Sequence, residues 1–210
     1  PWLPGVGAVL AAWYPGQRGA EAIANVLFGD VNPSGKLPIT FPRSESDLPR
    51  PTIAGGTTPF DVRYDEGLAT GYRWFDAQGI EPLFPFGFGL SYTTFALSSP
   101  AVSLAGGNRL TVTVGLTNTG ARAGAEVVQV YLSLPSGLGE PPRRLVGWRK
   151  VTLAPGASTT VTILVDGDSS AHPFGHWDVA TRAWAIAPGD HGVYVGNSSR
   201  NTVHAGTIRF

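Results

Sequence analysis

An apolar run from Val6 to Trp13 leads through Tyr14-Pro-Gly16 into a helical stripe of Ala20, Ile23, Ala24 and Leu27. The run is small and apolar on both sides of a strand alternation, as expected of a strand buried in a parallel sheet. The stripe falls at i, i+3, i+4 and i+7, one face of a helix. Gly29 predicts the helix end and Asn32-Pro-Ser-Gly35 a turn, before a short strand over Lys36 to Phe41. Such a unit cannot stand alone. A strand needs neighbours for its backbone N–H and C=O groups, and about 40 residues cannot bury enough surface to fold. Residues 1–42 are therefore expected to be the C-terminal end of an α/β sandwich domain whose other strands are encoded elsewhere. Any function would be shared with that missing piece. The chain has no methionine, so its N-terminus reads as a product of processing, cleavage or a designed break.

From Arg43 to Phe88 the periodicity disappears and Pro, Gly, Ser and Thr become frequent. A disordered linker is aromatic-poor, whereas this segment carries Phe60, Tyr64, Tyr72, Trp74, Phe75, Phe84, Phe86 and Phe88. It reads as a strap, residues 43–91, packed onto other surfaces. The spacing of Tyr72 and Trp74 around Arg73 suits a strap that buries alternate side chains.

Residues 92–210 read as all-β. Leu110, Val112, Val114 and Leu116 alternate with polar or small residues. Val128 to Leu134 and Val161 to Val165 repeat the pattern. Further strands are expected at Leu145–Leu153, Arg182–Ala187, Gly192–Gly196 and Gly206–Phe210, separated by Asn118-Thr-Gly120, Ala154-Pro-Gly156 and Ala187-Pro-Gly189. About seven short strands without a cysteine pair fit a fibronectin-III-like, immunoglobulin-like sandwich. Trp148, Trp177 and Trp184 are expected in its core or as glue to the α/β layer.

Composition removes several function classes. Lys+Arg and Asp+Glu balance at 15 each, and Arg143-Arg144 and Arg149-Lys150 are too short to form a basic patch. Nucleic acid is not an expected partner. No run approaches the ~20 apolar residues of a membrane span, so no membrane is expected either. Cysteine is absent, which excludes disulfides and thiolate metal sites. His172 and His176 flank Pro173-Phe-Gly175, which does not place both rings on one helix face. No metal and no cofactor is expected.

The ordered set Trp13-Tyr-Pro-Gly-Gln-Arg-Gly19, Asn32-Pro-Ser-Gly-Lys-Leu-Pro38, Thr40-Phe-Pro42, Tyr64-Asp-Glu-Gly67, Gly71-Tyr-Arg-Trp-Phe-Asp76 and Pro82 to Tyr92 resembles glycoside hydrolase family 3. Asn118-Thr-Gly120, Gly124 to Gln129, Leu145 to Lys150 and Gly196-Asn-Ser-Ser199 follow the family's sandwich pattern. The resemblance is to β-glucosidases with a C-terminal fibronectin-III-like domain. It implies retaining hydrolysis by a barrel Asp nucleophile and a Glu acid/base on the α/β sandwich, with carboxyls about 5–5.5 Å apart. Both lie upstream of Pro1 in the family's order, so no residue of this chain inherits a catalytic role. The implied partners are the N-terminal part of the same enzyme, as a separate chain, and a β-glucoside substrate. The resemblance favours a periplasmic or secreted location over a cytoplasmic one. The alternative is a free-standing fibronectin-III-like module that binds carbohydrate or protein without catalysis.

Tyr64 and Glu66 are the pocket-lining candidates, because they sit in an irregular aromatic segment. As a general acid Glu66 would need burial and a second carboxylate opposite. The structural alternative is hydrogen bonding to backbone and to Arg63 or Arg73. Tyr72, Trp74 and Phe75 could stack on sugar rings, but packing is favoured. Phe86-Gly-Phe-Gly89 lacks the Gly-Lys-Ser/Thr of a phosphate loop, and its glycines read as tight turns. Asn197-Ser-Ser199 is a formal glycosylation sequon that reads as a chance match.

Overall fold

The computed structural model describes residues 3–51, 61–106 and 108–210. Phe60, one of the strap aromatics, lies outside them. Among the described residues, two antiparallel sheets form the sandwich. One contains β1 (Phe95–Ala105), β2 (Arg109–Asn118) and β5 (Ser158–Asp166) in the order β1-β2-β5. The other contains β3 (Gly124–Ser133), β4 (Arg144–Leu153), β8 (Asp190–Gly196) and β9 (Thr202–Arg209) in the order β4-β3-β8-β9. A hairpin of β6 (Gly175–Asp178) and β7 (Ala183–Ile186) belongs to neither sheet.

The alternation read from the sequence is the core. Leu110, Val112, Val114 and Leu116 meet Val161, Ile163 and Val165 on one sheet and Val128, Val130, Leu132, Val193 and Val195 on the other. β1 carries no clean alternation because Ser98-Ser-Pro100 interrupts it, and its register against β2 shifts between Ser98 and Ala101. A proline is accommodated there because β1 is an edge strand.

β3 departs from alternation for a different reason. Gln129 and Tyr131 point away from the core yet are buried, because the strap covers that face. Tyr72 stacks on Phe86 at 4.8 Å and meets Tyr131 edge-on at 5.9 Å. Tyr131 donates to Gln129 Oε1 at 2.6 Å, and Gln129 Nε2 donates to the carbonyls of Gly87 (3.2 Å) and Asn197 (2.8 Å). Gly87 has φ +79°, and a Cβ there would lie 2.2 Å from Gln129 Oε1. A turn is thus what this position requires, as its sequence suggested.

The N-terminal region corrects two expectations. Val6 to Trp13 forms no strand: the segment is irregular, and Val6, Val9, Leu10 and Trp13 are each about half exposed. Among the described residues no backbone–backbone hydrogen bond involves residues 8–15, so a strand-like sequence has nothing to pair with. Lys36 to Phe41 likewise gives only a single bridge, Phe41 to Phe84, with Leu37 exchanging hydrogen bonds with Gly87 and Phe88. The helix does form, as α1 (Gly19–Phe28), ending in a left-handed Gly29 at φ 83°. Of its stripe, Ile23 and Ala24 are half-buried, whereas Ala20 and Leu27 are exposed.

A third correction concerns the strap. Tyr72–Gln78 is a two-turn helix, α2, bounded by Gly71 and a left-handed Gly79. Seven residues are too few to display a helical period, and the Tyr72/Trp74 spacing by itself suits an extended strap. For the tryptophans, only the core half of the expectation is corrected, and the place as glue to the α/β layer stays open. Trp148, Trp177 and Trp184 are 66%, 49% and 47% exposed, so none is a core residue. The core aromatic is Phe174, fully buried beside Phe210 and His191.

His191 is also fully buried. Its Nδ1 lies 3.1 Å from the Gly189 carbonyl and its Nε2 has no partner. Desolvation lowers its pKa below the ordinary 6.5, with Arg144 pushing the same way and the Gly189 and Phe174 carbonyls and Asp190 opposing. The carbonyls that would receive its N–H groups do not outweigh the loss of water around a charged ring. An imidazole held neutral in the fold but free to protonate when unfolded withdraws stability as pH falls below about 6.5. We expect the sandwich to melt at a lower temperature at pH 5 than at pH 7.5, with a shallower slope in His191→Leu; scanning calorimetry across that range checks both.

Candidate functional site

The strap positions the chemistry-bearing side chains by two buried junctions. At the first, Lys36 Nζ lies 2.6 Å from Glu126 Oε1, with both side chains largely buried, and donates to the Gly89 carbonyl at 2.9 Å. Asn32 completes it: Nδ2 donates to the Ala123 carbonyl, and Oδ1 accepts from Ser91 Oγ and the Tyr92 N–H. Tyr92 donates in turn to the Val26 carbonyl of α1 at 2.6 Å. The α/β piece is therefore tied to the sandwich through several polar contacts, among which the Lys36–Glu126 pair is largely buried and the Asn32 and Tyr92 bonds lie nearer the surface.

At the second junction α2 sits on the sandwich over an ion cluster. Asp76 has a side chain only 5% exposed, with Arg200 Nε 3.1 Å from Oδ1 and Arg143 Nη2 3.8 Å from Oδ2. Neither carboxylate oxygen has a hydrogen bond of good geometry. Burial raises the Asp76 pKa above the usual carboxylate range, and the two arginines only partly oppose it. The same burial, with Tyr72 and Asp76 adding to it, pushes the Tyr131 phenol upward. Arg200 Nη2 also donates to the carbonyls of Phe75 (3.1 Å) and Ile80 (2.6 Å), holding both ends of the turn after α2. None of these partners was legible beforehand: Asp76 and Arg200 lie 124 positions apart in otherwise ordinary motifs.

Tyr64 and Glu66 fall in the irregular loop that precedes α2. Glu66 has a side chain 5% exposed, and its Oε1 is taken by Arg50 Nη2 at 3.0 Å. The sequence named Arg63 or Arg73 as its partner; instead Arg63 faces Asp65 at 3.5 Å, and Arg73 lies over the Tyr72 ring. Arg50 also donates to the Arg63 carbonyl and covers the Tyr64 ring at 4.9 Å. Tyr64 is otherwise open, 73% exposed. Glu66 thus serves the loop's own architecture, while the Tyr64 ring is presented outward.

The remaining candidates take structural places. Trp74 donates from Nε1 to the Asp47 carbonyl, and Phe75 is buried. His172 stacks on Trp184 at 4.6 Å. Asn197 accepts from Asn201 and donates to Glu126, and both sequon serines are buried. Among the described residues no group of three His, Asp or Glu side chains is placed to hold a metal, and no helix is long and apolar enough to cross a membrane. One shallow depression of about 350 Å³ lies on α1, lined by Arg18, Glu21, Ala22, Asn25, Val26 and Val31. A single carboxylate lines it, not the pair that glycoside hydrolysis uses.

Comparison with known proteins decides the family. Residues 1–92 match the glycosyl hydrolase family 3 C-terminal domain, and residues 126–199 match a fibronectin type III-like domain. The chain matches the C-terminal portion of glycoside hydrolase family 3 enzymes. A "Beta-glucosidase" of Rhizobium radiobacter is 48% identical over 172 residues, covering 79% of this chain and 21% of the relative. The "Thermostable beta-glucosidase B" of Acetivibrio thermocellus is 40% identical over 100% of this chain and 28% of its own length. Among solved structures, DesR, a β-glucosidase from Streptomyces venezuelae in complex with D-glucose, superposes with a TM-score of 0.88 at 44% identity, over 100% of this chain and 27% of that one. The chain thus spans roughly a quarter of the length of the family 3 relatives it matches.

Proposed function

We propose that this chain is the C-terminal part of a retaining β-glucosidase that removes terminal non-reducing β-D-glucosyl residues from β-glucosides. Its divisions are an α/β end at 1–42, a strap at 43–91 and a sandwich at 92–210. Both catalytic carboxylates reside on the N-terminal part, an Asp on the barrel and a Glu on the α/β sandwich. The Asp attacks the anomeric carbon while the Glu protonates the leaving oxygen, and the Glu then activates water against the glycosyl-enzyme. This chain supplies the end of the α/β layer and locks it to the sandwich. Tyr64, presented outward beside a loop fixed by Glu66 and Arg50, is its contribution to the pocket wall.

The observation that carries this reading is the segment 8–13, strand-like in sequence but without backbone hydrogen bonds, followed by an α1 that leaves Leu27 and Phe28 exposed. A vestigial role for residues 1–42 is disfavoured by the buried Lys36–Glu126 pair and by Asn32, which tie this region into the sandwich.

The test is activity reconstituted from parts. This chain alone should release no nitrophenol from an aryl β-glucoside, and mixing it with the separately expressed N-terminal part should restore hydrolysis. Hydrolysis by the chain alone overturns the reading. In the intact enzyme Glu66→Gln should lower kcat less than tenfold, whereas removing a true general acid costs roughly 10²–10⁴-fold.

A further inference from the structure

The β6–β7 hairpin is the part of the sandwich that joins neither sheet. Two strands of four residues do not hold together in water unaided, so what fixes this hairpin matters. At its root Arg144 Nη1 donates to the Gly175 carbonyl at 3.0 Å, and the Ala187 N–H donates to Phe174 at 3.3 Å. At its tip Asp178 accepts from the Ala180 N–H (2.9 Å) and from Thr181 Oγ1 (2.7 Å). Between them Trp177 and Trp184 form a cross-strand pair with ring centroids 5.8 Å apart. The His172 ring stacks on Trp184, nearly parallel at 16°. Both indoles are braced, yet about half of each remains open, and exposed Val179 and Ile186 extend the patch.

We propose that this tryptophan hairpin is a second anchor for the catalytic N-terminal part of the same enzyme, apart from the open α/β edge. The inference rests on the proposed function. Three observations select that occupant. The indole planes stand at 79° to each other, which makes a corner for protein side chains, not a flat floor for stacked pyranose rings. Braced tryptophans of this kind dominate the energetics of protein interfaces. The patch also continues the strap flank: next to Arg144, the Leu145 N–H donates to the Tyr72 hydroxyl of α2 at 2.8 Å. Finally, the matched relatives carry roughly three-quarters of their length outside the matched region, enough chain to cover both surfaces.

Hydroxyl-radical footprinting of the intact enzyme tests this, with oxidation of Trp177 and Trp184 read by mass spectrometry against the urea-unfolded enzyme. Docking predicts protection of at least about tenfold, whereas a half-open pair would give only about twofold. Twofold protection overturns the proposal. So does protection that rises from twofold only when a soluble β-glucan is added, which would make the occupant a glycan. Hydrolysis of an aryl β-glucoside is measured on the same sample. An active enzyme with open tryptophans refutes the anchor alone, and an inactive one with protected tryptophans refutes the enzymatic reading alone.

Discussion

Replacing Arg200 by alanine in the intact enzyme is expected to cost about 3–5 kcal/mol of stability in the sandwich-plus-strap unit, the range for breaking a buried ion pair from one side. The cost has two sources. Asp76 would keep only Arg143, whose nitrogen is 3.8 Å away, as compensation for a carboxylate without hydrogen bonds. The carbonyls of Phe75 and Ile80 would lose their shared donor. The sign of the Asp76 shift sharpens the expectation. A carboxyl raised by burial gives its full stabilising share only below its unfolded value near 3.8 and loses it as pH rises through the folded value. At neutral pH the arginines therefore hold Asp76 against its own desolvation. Asp76→Asn, which removes the charge but keeps the shape, should cost less than Arg200→Ala. Urea melts of both variants, with limited proteolysis at the strap, measure this; equal stability of Arg200→Ala and the parent would show that the cluster is not holding α2.

Phe174→Ala is expected to destabilise the sandwich by a similar amount, about 3–5 kcal/mol, as for other fully buried phenylalanines. Phe174 fills the end of the core against Phe210, 4.9 Å between centroids, and against the edge of His191. Gly167 is glycine for the same ring: a Cβ there would come 2.5 Å from Phe174 Cε2. That fit leaves no neighbour positioned to collapse into the void. The backbone carbonyl of Phe174 also receives the Ala187 N–H at the hairpin root, so the substitution should loosen Trp177 and Trp184 as well. The urea midpoint should fall at an unchanged slope; a loss below about 1 kcal/mol would mean that the site closes up after all.

Where a segment's burial is decided by its own strand partners, the sequence was sufficient. Leu110 to Leu116, Val128 to Leu132 and Val161 to Val165 face one another across a single core, and alternation reports that directly. Where burial is decided by a distant segment, it was not. Gln129 and Tyr131 lie under a strap some forty to sixty positions earlier in the chain. The three exposed tryptophans look like core residues by composition alone. β1 was missed because Ser98-Ser-Pro100 hides a bulge, and α2 because its two turns are too short to show a period. The candidate site divided the same way. For Glu66 the sequence offers a pocket-lining place with a structural alternative, and that alternative names Arg63 or Arg73, whereas the partner is Arg50, which shares no local pattern with it.

The burial of Tyr131 and Gln129 beneath Tyr72 and Phe86 bears on how this protein can be taken apart. A gene cut at residue 92 would strip the lid from one sheet and bare an aromatic ring and an amide on a face that evolved dry. Chimeras that exchange the sandwich between enzymes should therefore move it together with everything from Asn32 onward. The exchangeable module is set by which surfaces are wet, and its edge lies some sixty residues upstream of the first strand.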